Sequence, residues 1–189
     1  VSEFTIGAIK PVLVQVTAVV PNPTNDNTPS YTFFSTLSGT IGYGVICTSD
    51  NVTAVAMDNN TITFNALAEG TYDNCTISVT SNNVLSDNLS VDNFTIDTIT
   101  PTLSEVTPVP TPDNDSTPNY TFYSTEAGAI TYGGSCSSSS GNNTTTEADN
   151  ITNITFNTLS AGDRRTTYDN CKIRVTDNAS NISNFLDVS

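Results

Sequence analysis

The chain repeats itself, and that fact limits its possible folds more than any other. Tyr31-Thr32-Phe33-Phe34-Ser35-Thr36 returns as Tyr120-Thr121-Phe122-Tyr123-Ser124-Thr125, 89 positions later. Ile41, Tyr43, Gly44 and Cys47 return as Ile130, Tyr132, Gly133 and Cys136. Thr63-Phe64-Asn65 and Leu67 return as Thr155-Phe156-Asn157 and Leu159. Tyr72-Asp73-Asn74-Cys75 returns as Tyr168-Asp169-Asn170-Cys171. The offset grows from 89 to 96, so the second copy carries small insertions. The clearest is Asp163-Arg164-Arg165-Thr166, which has no counterpart between Gly70 and Thr71. Two homologous domains, each of about 90 residues, therefore follow one another.

Each copy reads as β-structure. Cys75, Ile77 and Val79 alternate with Thr76, Ser78 and Thr80, and Cys171, Ile173 and Val175 alternate with Lys172, Arg174 and Thr176. A period of two marks a strand with one face in a core. Tyr31/Phe33 and Ile62/Phe64 follow the same rule. Thr, Val, Ile, Tyr and Phe suit a pleated, half-buried surface. Turn residues separate the runs at 23–29, at 112–118, at Glu69-Gly70 and at Ser140-Gly141. No stretch carries a 3.6-residue period. Many short strands between frequent turns predict an all-β chain of two antiparallel sandwiches.

The segment Leu67-Ala68-Glu69-Gly70-Thr71-Tyr72, followed by Cys75 on a strand, resembles the E–F corner of immunoglobulin-like domains. Phe94-Thr95-Ile96-Asp97-Thr98-Ile99-Thr100-Pro101-Thr102-Leu103 resembles the joint between tandem bacterial immunoglobulin-like repeats of surface proteins. The resemblance covers almost the whole chain, twice. It departs from antibody domains in having no Trp and in placing each Tyr three residues before its Cys. It implies two tandem immunoglobulin-like sandwiches and the work of stalks, adhesins and pilus-like fibres. Lys–Asn crosslinks of the kind found in some pilin-like domains would need a buried Lys in each repeat. Lys10 lies in a joint, which argues against them.

The four Cys fall two per repeat. Of three connectivities, only Cys47–Cys75 with Cys136–Cys171 respects the repeat. Such bridges stabilise a domain by roughly 3–4 kcal/mol in the chain-entropy picture. They imply an oxidising compartment, outside the cell or in a periplasm. The absence of a leader pattern reads as a processed mature form.

The repeat frame is out of phase with the chain. The first domain ends on Val91-Asp92-Asn93-Phe94-Thr95-Ile96, but Val188-Ser189 align only with Val91-Asp92. The missing portion stands at the front, in Val1-Ser2-Glu3-Phe4-Thr5-Ile6. The frame gives a short N-terminal strand at 1–6, a first domain at 7–97 and a second at 98–189. Two readings follow: an excerpt of a longer repetitive adhesin, or a strand in which Val1, Phe4 and Ile6 complete the final sheet of the next molecule. Strand addition of that heterologous kind does not close on itself and grows a filament. The first strand adds to this. Seven of the nine residues Val12–Val20 are apolar, so Val12 and Val14 would put apolar side chains on a face that a lone domain leaves wet.

Charge and composition remove other classes. Five Lys and Arg against 19 Asp and Glu give a net charge of −14, which repels phosphate backbones. There is no His, the commonest general base and metal ligand, and no carboxylate pair stands out in a plausible cleft. No enzymatic activity and no catalytic residues are expected. No run approaches the roughly 20 apolar residues that span a bilayer. Polarity comes from Thr, Ser and Asn, 77 of 189 residues. Residues 1–96 and 97–189 each carry −7, but all four bases of the second half lie at Arg164, Arg165, Lys172 and Arg174. They form a candidate docking patch for acidic residues of a neighbouring subunit.

Thirteen of 23 Asn head an Asn-x-Ser/Thr triplet, about twice what the Ser and Thr content would place by chance. Candidate glycan sites are Asn51, Asn59, Asn88, Asn114, Asn142, Asn143, Asn150, Asn153, Asn178 and Asn181; Asn74 and Asn93 sit before strand residues, where partial burial is expected. Asp26, Asp92, Asp97, Asp113, Asp115 and Asp177 are where calcium would bind, but none has EF-hand spacing and Asx turns account for most. No cofactor is expected. The expected protein is an extracellular, self-associating structural subunit, with glycans as a secondary partner class.

Overall fold

The computed structural model describes residues 7–138, 144–160 and 167–189. The chain divides into two compact units, Val1–Thr98 and Ile99–Ser189. Every regular element among the described residues is a strand, so none of them forms a helix long and apolar enough to cross a membrane.

In the first unit, β1 (Leu13–Thr17), β2 (Ser30–Ser35) and β5 (Asp58–Thr63) form one antiparallel sheet in the order β1-β2-β5. The facing sheet runs β4 (Thr53–Ala54), β3 (Gly39–Tyr43), β7 (Thr76–Ser81), β8 (Val84–Leu85), with β9 (Leu89–Ser90) also on β7. A third ribbon pairs β6 (Gly70–Tyr72) with β10 (Phe94–Ile96), and Ile96 makes a parallel bridge to Thr24.

The second unit repeats the plan. β11 (Leu103–Thr107), β12 (Asn119–Ser124) and β15 (Asn150–Thr155) make one sheet. The other orders β14 (Thr145–Thr146), β13 (Gly128–Gly133), β16 (Lys172–Thr176) and β17 (Leu186–Asp187). The register is the same to the residue. Ile41 faces Val79 as Ile130 faces Val175, and β1 and β11 both slip one position before their last pair.

The period-two runs point inward as the pleat requires. Tyr31, Phe33, Ile62, Ile77 and Val79 are buried, as are Tyr120, Phe122, Ile154, Ile173 and Val175. Each unit has its own core between its sheets, closed by one disulfide. Cys47 pairs with Cys75 and Cys136 with Cys171, at Cα separations of 5.4 and 5.1 Å. All four Cys are buried. Gly39 and Gly128 show why a small residue opens β3 and β13. A Cβ there would sit 2.2 and 2.4 Å from the Thr80 and Thr176 carbonyl oxygens.

β1 differs from what its double apolar pattern implies. Leu13 packs on the core, but Val12, Val14 and Val16 are 57, 53 and 46% exposed. β1 is the edge strand of its sheet, and the described residues leave its outer valines exposed.

Candidate assembly site

The place where the two repeats part company is β10. Phe94 and Ile96 are each 1% exposed. The Phe94 ring stacks on Phe64 at 5.9 Å and on Tyr72 at 5.2 Å, and Phe64 in turn stacks on Tyr31 at 6.3 Å. β10 also bonds backbone to backbone across to Thr24, with Thr24 N donating to Thr95 O (3.0 Å) and Asp97 N to Thr24 O (2.9 Å). One three-residue strand therefore joins an aromatic column to two stretches of main chain. Tyr72 is pinned beside it, its hydroxyl donating to Ala68 O at 2.8 Å.

Among the described residues, the second unit carries parallel contacts. Tyr120 stacks on Phe156 at 6.2 Å, and Tyr168 donates to Ser160 O at 2.7 Å. Val188 N donates to Cys171 O at 2.9 Å, as Val91 N does to Cys75 O. That identity of bonds sets Val188-Ser189 on Val91-Asp92. By this alignment the equivalents of Phe94-Thr95-Ile96 would come after Ser189. The flanking positions differ in exposure. Leu67 and Thr24 are buried in the first unit, while Leu159 is half-buried and Asp113 exposed in the second.

A tether precedes this position in both units, and it was not foreseen from sequence. Gln15 Oε1 accepts from Tyr31 Oη (3.0 Å) and from Asp92 N (3.2 Å), and Gln15 Nε2 donates to the Asp92 carboxylate. Glu105 does the corresponding work, accepting from Ser189 N (3.2 Å) and Ser189 Oγ (2.7 Å). Burial pushes the Glu105 carboxyl up, but the Ser189 bonds outweigh it and hold the carboxyl below the ordinary 4.5. Burial pushes the Tyr31 hydroxyl up to about 12, with the Asp92 charge adding to it. The visible signal was a polar residue on the inward side of a strand, between Leu13 and Thr17 in one copy and between Leu103 and Thr107 in the other.

The basic face of β16 holds Lys172 and Arg174 side by side, both half-buried. They share one aromatic ring, Phe185, with Lys172 Nζ 4.6 Å and Arg174 Cζ 5.0 Å from its centroid. A cation over a ring gains about 0.5–1 kcal/mol when exposed. Two like charges over one ring also repel. Arg174 Nε is buried without a hydrogen-bond partner, and Lys10–Asp87 is the ion pair found among the described residues. Phe185 was also missed; in the first repeat its place is taken by Asn88, and Lys172 and Arg174 by Thr76 and Ser78. Lys10 itself is exposed and ion-paired, not part of a core.

Among the candidate glycan positions, Asn51, Asn59, Asn88, Asn114, Asn150, Asn153 and Asn178 are exposed. Asn181 is not available. It is 7% exposed and its Nδ2 donates to Asp177 Oδ2 at 3.0 Å, because it closes the β16–β17 turn. Asn74 and Asn93, expected to be partly buried, are exposed, since both lie in loops ahead of their strands. Three of the candidate calcium ligands act as turn caps. Asp26 and Asp115 each accept from the N and Oγ1 of the Thr two residues on, and Asp177 Oδ1 accepts from Ala179 N and Asn181 N. Val1, Phe4, Ile6, Arg164, Arg165, Asn142 and Asn143 lie outside the described residues. No protein-family model matches this chain, and no curated protein sequence matches it.

Proposed function

We propose that the chain is a structural subunit of an extracellular filament, built from two immunoglobulin-like sandwiches and assembled head to tail. In this reading Val1–Ile6 of one copy completes the final sheet of the second unit of the next, with Phe4-Thr5-Ile6 in the position that Phe94-Thr95-Ile96 holds on the first. The observation that carries it is the likeness of the described residues around β10 and around Val188-Ser189, joined to the four residues of six that Val1–Ile6 shares with Val91–Ile96. Phe4 would enter beside Phe156 and Tyr168 as Phe94 enters beside Phe64 and Tyr72. Main-chain pairing supplies affinity and the alternate side chains supply register. The tyrosine hydrogen bonds upstream of each second Cys support the immunoglobulin-like reading, and the disulfides support an oxidising, extracellular setting. The work is mechanical: cores and disulfides resist extension while the added strand links subunits.

Deleting residues 1–6 tests this. The full chain is expected to polymerise, seen as filaments by negative stain and as a heavy species by light scattering. The 7–189 chain is expected to stay monomeric with its first unit unfolding as before. A monomeric full chain, with second-unit stability unchanged by the deletion, overturns the proposal in favour of a segment of a longer repetitive protein.

A further inference from the structure

The two cations on β16 share a single facing carboxylate, Asp187 across from Lys172 on β17, and make no ion pair among the described residues, in a chain where acids outnumber bases 19 to 5. We infer that Lys172, Arg174 and Phe185 form a docking surface for the acidic first unit of a second copy. Four observations lead there. Lys172 and Arg174 lie on the same outward face of one strand, so their charges add. Phe185 clamps both from one side and is itself 43% exposed, which leaves a flat apolar ring next to the charges. Arg174 Nε is covered and unpartnered, so the guanidinium is held with only its terminal nitrogens able to meet an anion. Both halves carry a net charge of −7, and the first reaches it with almost no competing base. Residues 1–96 hold eight acids and one base, Lys10, and that base is already paired with Asp87.

The asymmetry fixes the kind of contact. The corresponding first-repeat strand presents Thr76 and Ser78, with Asn88 in place of Phe185, so it cannot act as a second basic face. Made head to tail, such a contact of second unit to first unit repeats along a chain without closing. That direction rests on the head-to-tail reading above, since strand donation also joins the front of one copy to the second unit of another. Charge pairs of this type steer encounter and set orientation.

Zero-length carbodiimide crosslinking of the full chain, using mixed 14N and 15N copies, tests the inference. The expected result is a mixed-isotope crosslink from Lys172 to a carboxylate within residues 1–98. It should disappear at about 1 M salt, where the screening length falls to about 3 Å. It should weaken also in Arg174→Gln, which keeps the Lys172 amine. Crosslinks from Lys172 only within one copy, or only to second-unit carboxylates, overturn it. So does a Lys172 side chain that shifts on adding a soluble polyuronate but not on adding a second copy. The 7–189 chain separates the two proposals. Polymer lost with the crosslink retained at raised protein concentration is the result expected if both hold, whereas polymer retained by the 7–189 chain with the crosslink retained overturns strand donation alone. Filaments of the full chain with the crosslink absent overturn the docking surface alone.

Discussion

Gln15 and Glu105 occupy one structural position with two different charges, which makes the pair a built-in control. Both accept from the backbone N–H that precedes the β10 position. Only Glu105 can be titrated off. Its folded carboxyl lies below 4.5, so the fold favours the ionised form. The contribution is present at neutral pH and is lost as pH falls through that lowered value. A 13C titration of the Glu105 side-chain carboxyl is expected to give a midpoint below 4.5. A midpoint at or above 4.5 means that Ser189 is not held in solution. Glu105→Gln should keep the acceptor, as Gln15 does, and remove the acid sensitivity. A second residue-scale device is Ser86 with its counterpart Ser183. Val79 N donates to Ser86 Oγ and Val175 N to Ser183 Oγ, each at 2.9 Å in the buried interior. Replacing either Ser by Ala strands a buried N–H, which costs about 1–3 kcal/mol. The expected readout is a lower denaturation midpoint, with loss confined to the unit that carries the change. Equal midpoints would show that the N–H finds another partner.

Among the elements, β10 does most for its length. Phe94→Ala removes the middle ring of the Phe64–Phe94–Tyr72 stack and is expected to cost about 3–5 kcal/mol in urea unfolding of the first unit. A loss under about 1 kcal/mol would mean that β10 does not close that core. How far this was legible in the sequence depends on strand length and facing. β2, β7, β12 and β16 were readable because each buries alternate residues against a core, and alternation survives translation into sequence. The two-residue strands β4, β8 and β9 were not, because two residues cannot display a period. β1 was readable as a strand, but its doubly apolar pattern did not foretell that Val12, Val14 and Val16 stay exposed within the chain. The β10 position was visible through the repeat frame alone. The Phe185 clamp was invisible, since its rings and charges meet only once β17 folds beside β16. Asn181 misled because a triplet reports composition, while burial follows from the turn that Asp177 closes.

For the molecule as a whole, the two contacts can be weighed against each other with one reagent. The free peptide Val-Ser-Glu-Phe-Thr-Ile has the donated strand and none of the rest of the subunit. It should bind the second unit at the open end of a growing filament and block that end only. Mean filament length is then expected to fall as peptide is added, with resonances of Phe156 and Leu159 moving in the isolated subunit. A peptide with Phe and Ile each displaced by one position presents its apolar side chains to the wrong face and should have no effect. Subunits compete with the peptide for the same position using the same strand. The concentration ratio at which the two are equally effective therefore reports every contact other than the strand. Each tenfold in that ratio corresponds to about 1.4 kcal/mol. If Lys172 and Arg174 dock on the first unit, the ratio should drop toward one in Lys172→Gln with Arg174→Gln, and in wild type at high salt. A ratio that is already near one in wild type at low salt would leave the strand as the whole interface and remove the basic face from it. A peptide that neither shortens filaments nor shifts Phe156 would remove the strand instead.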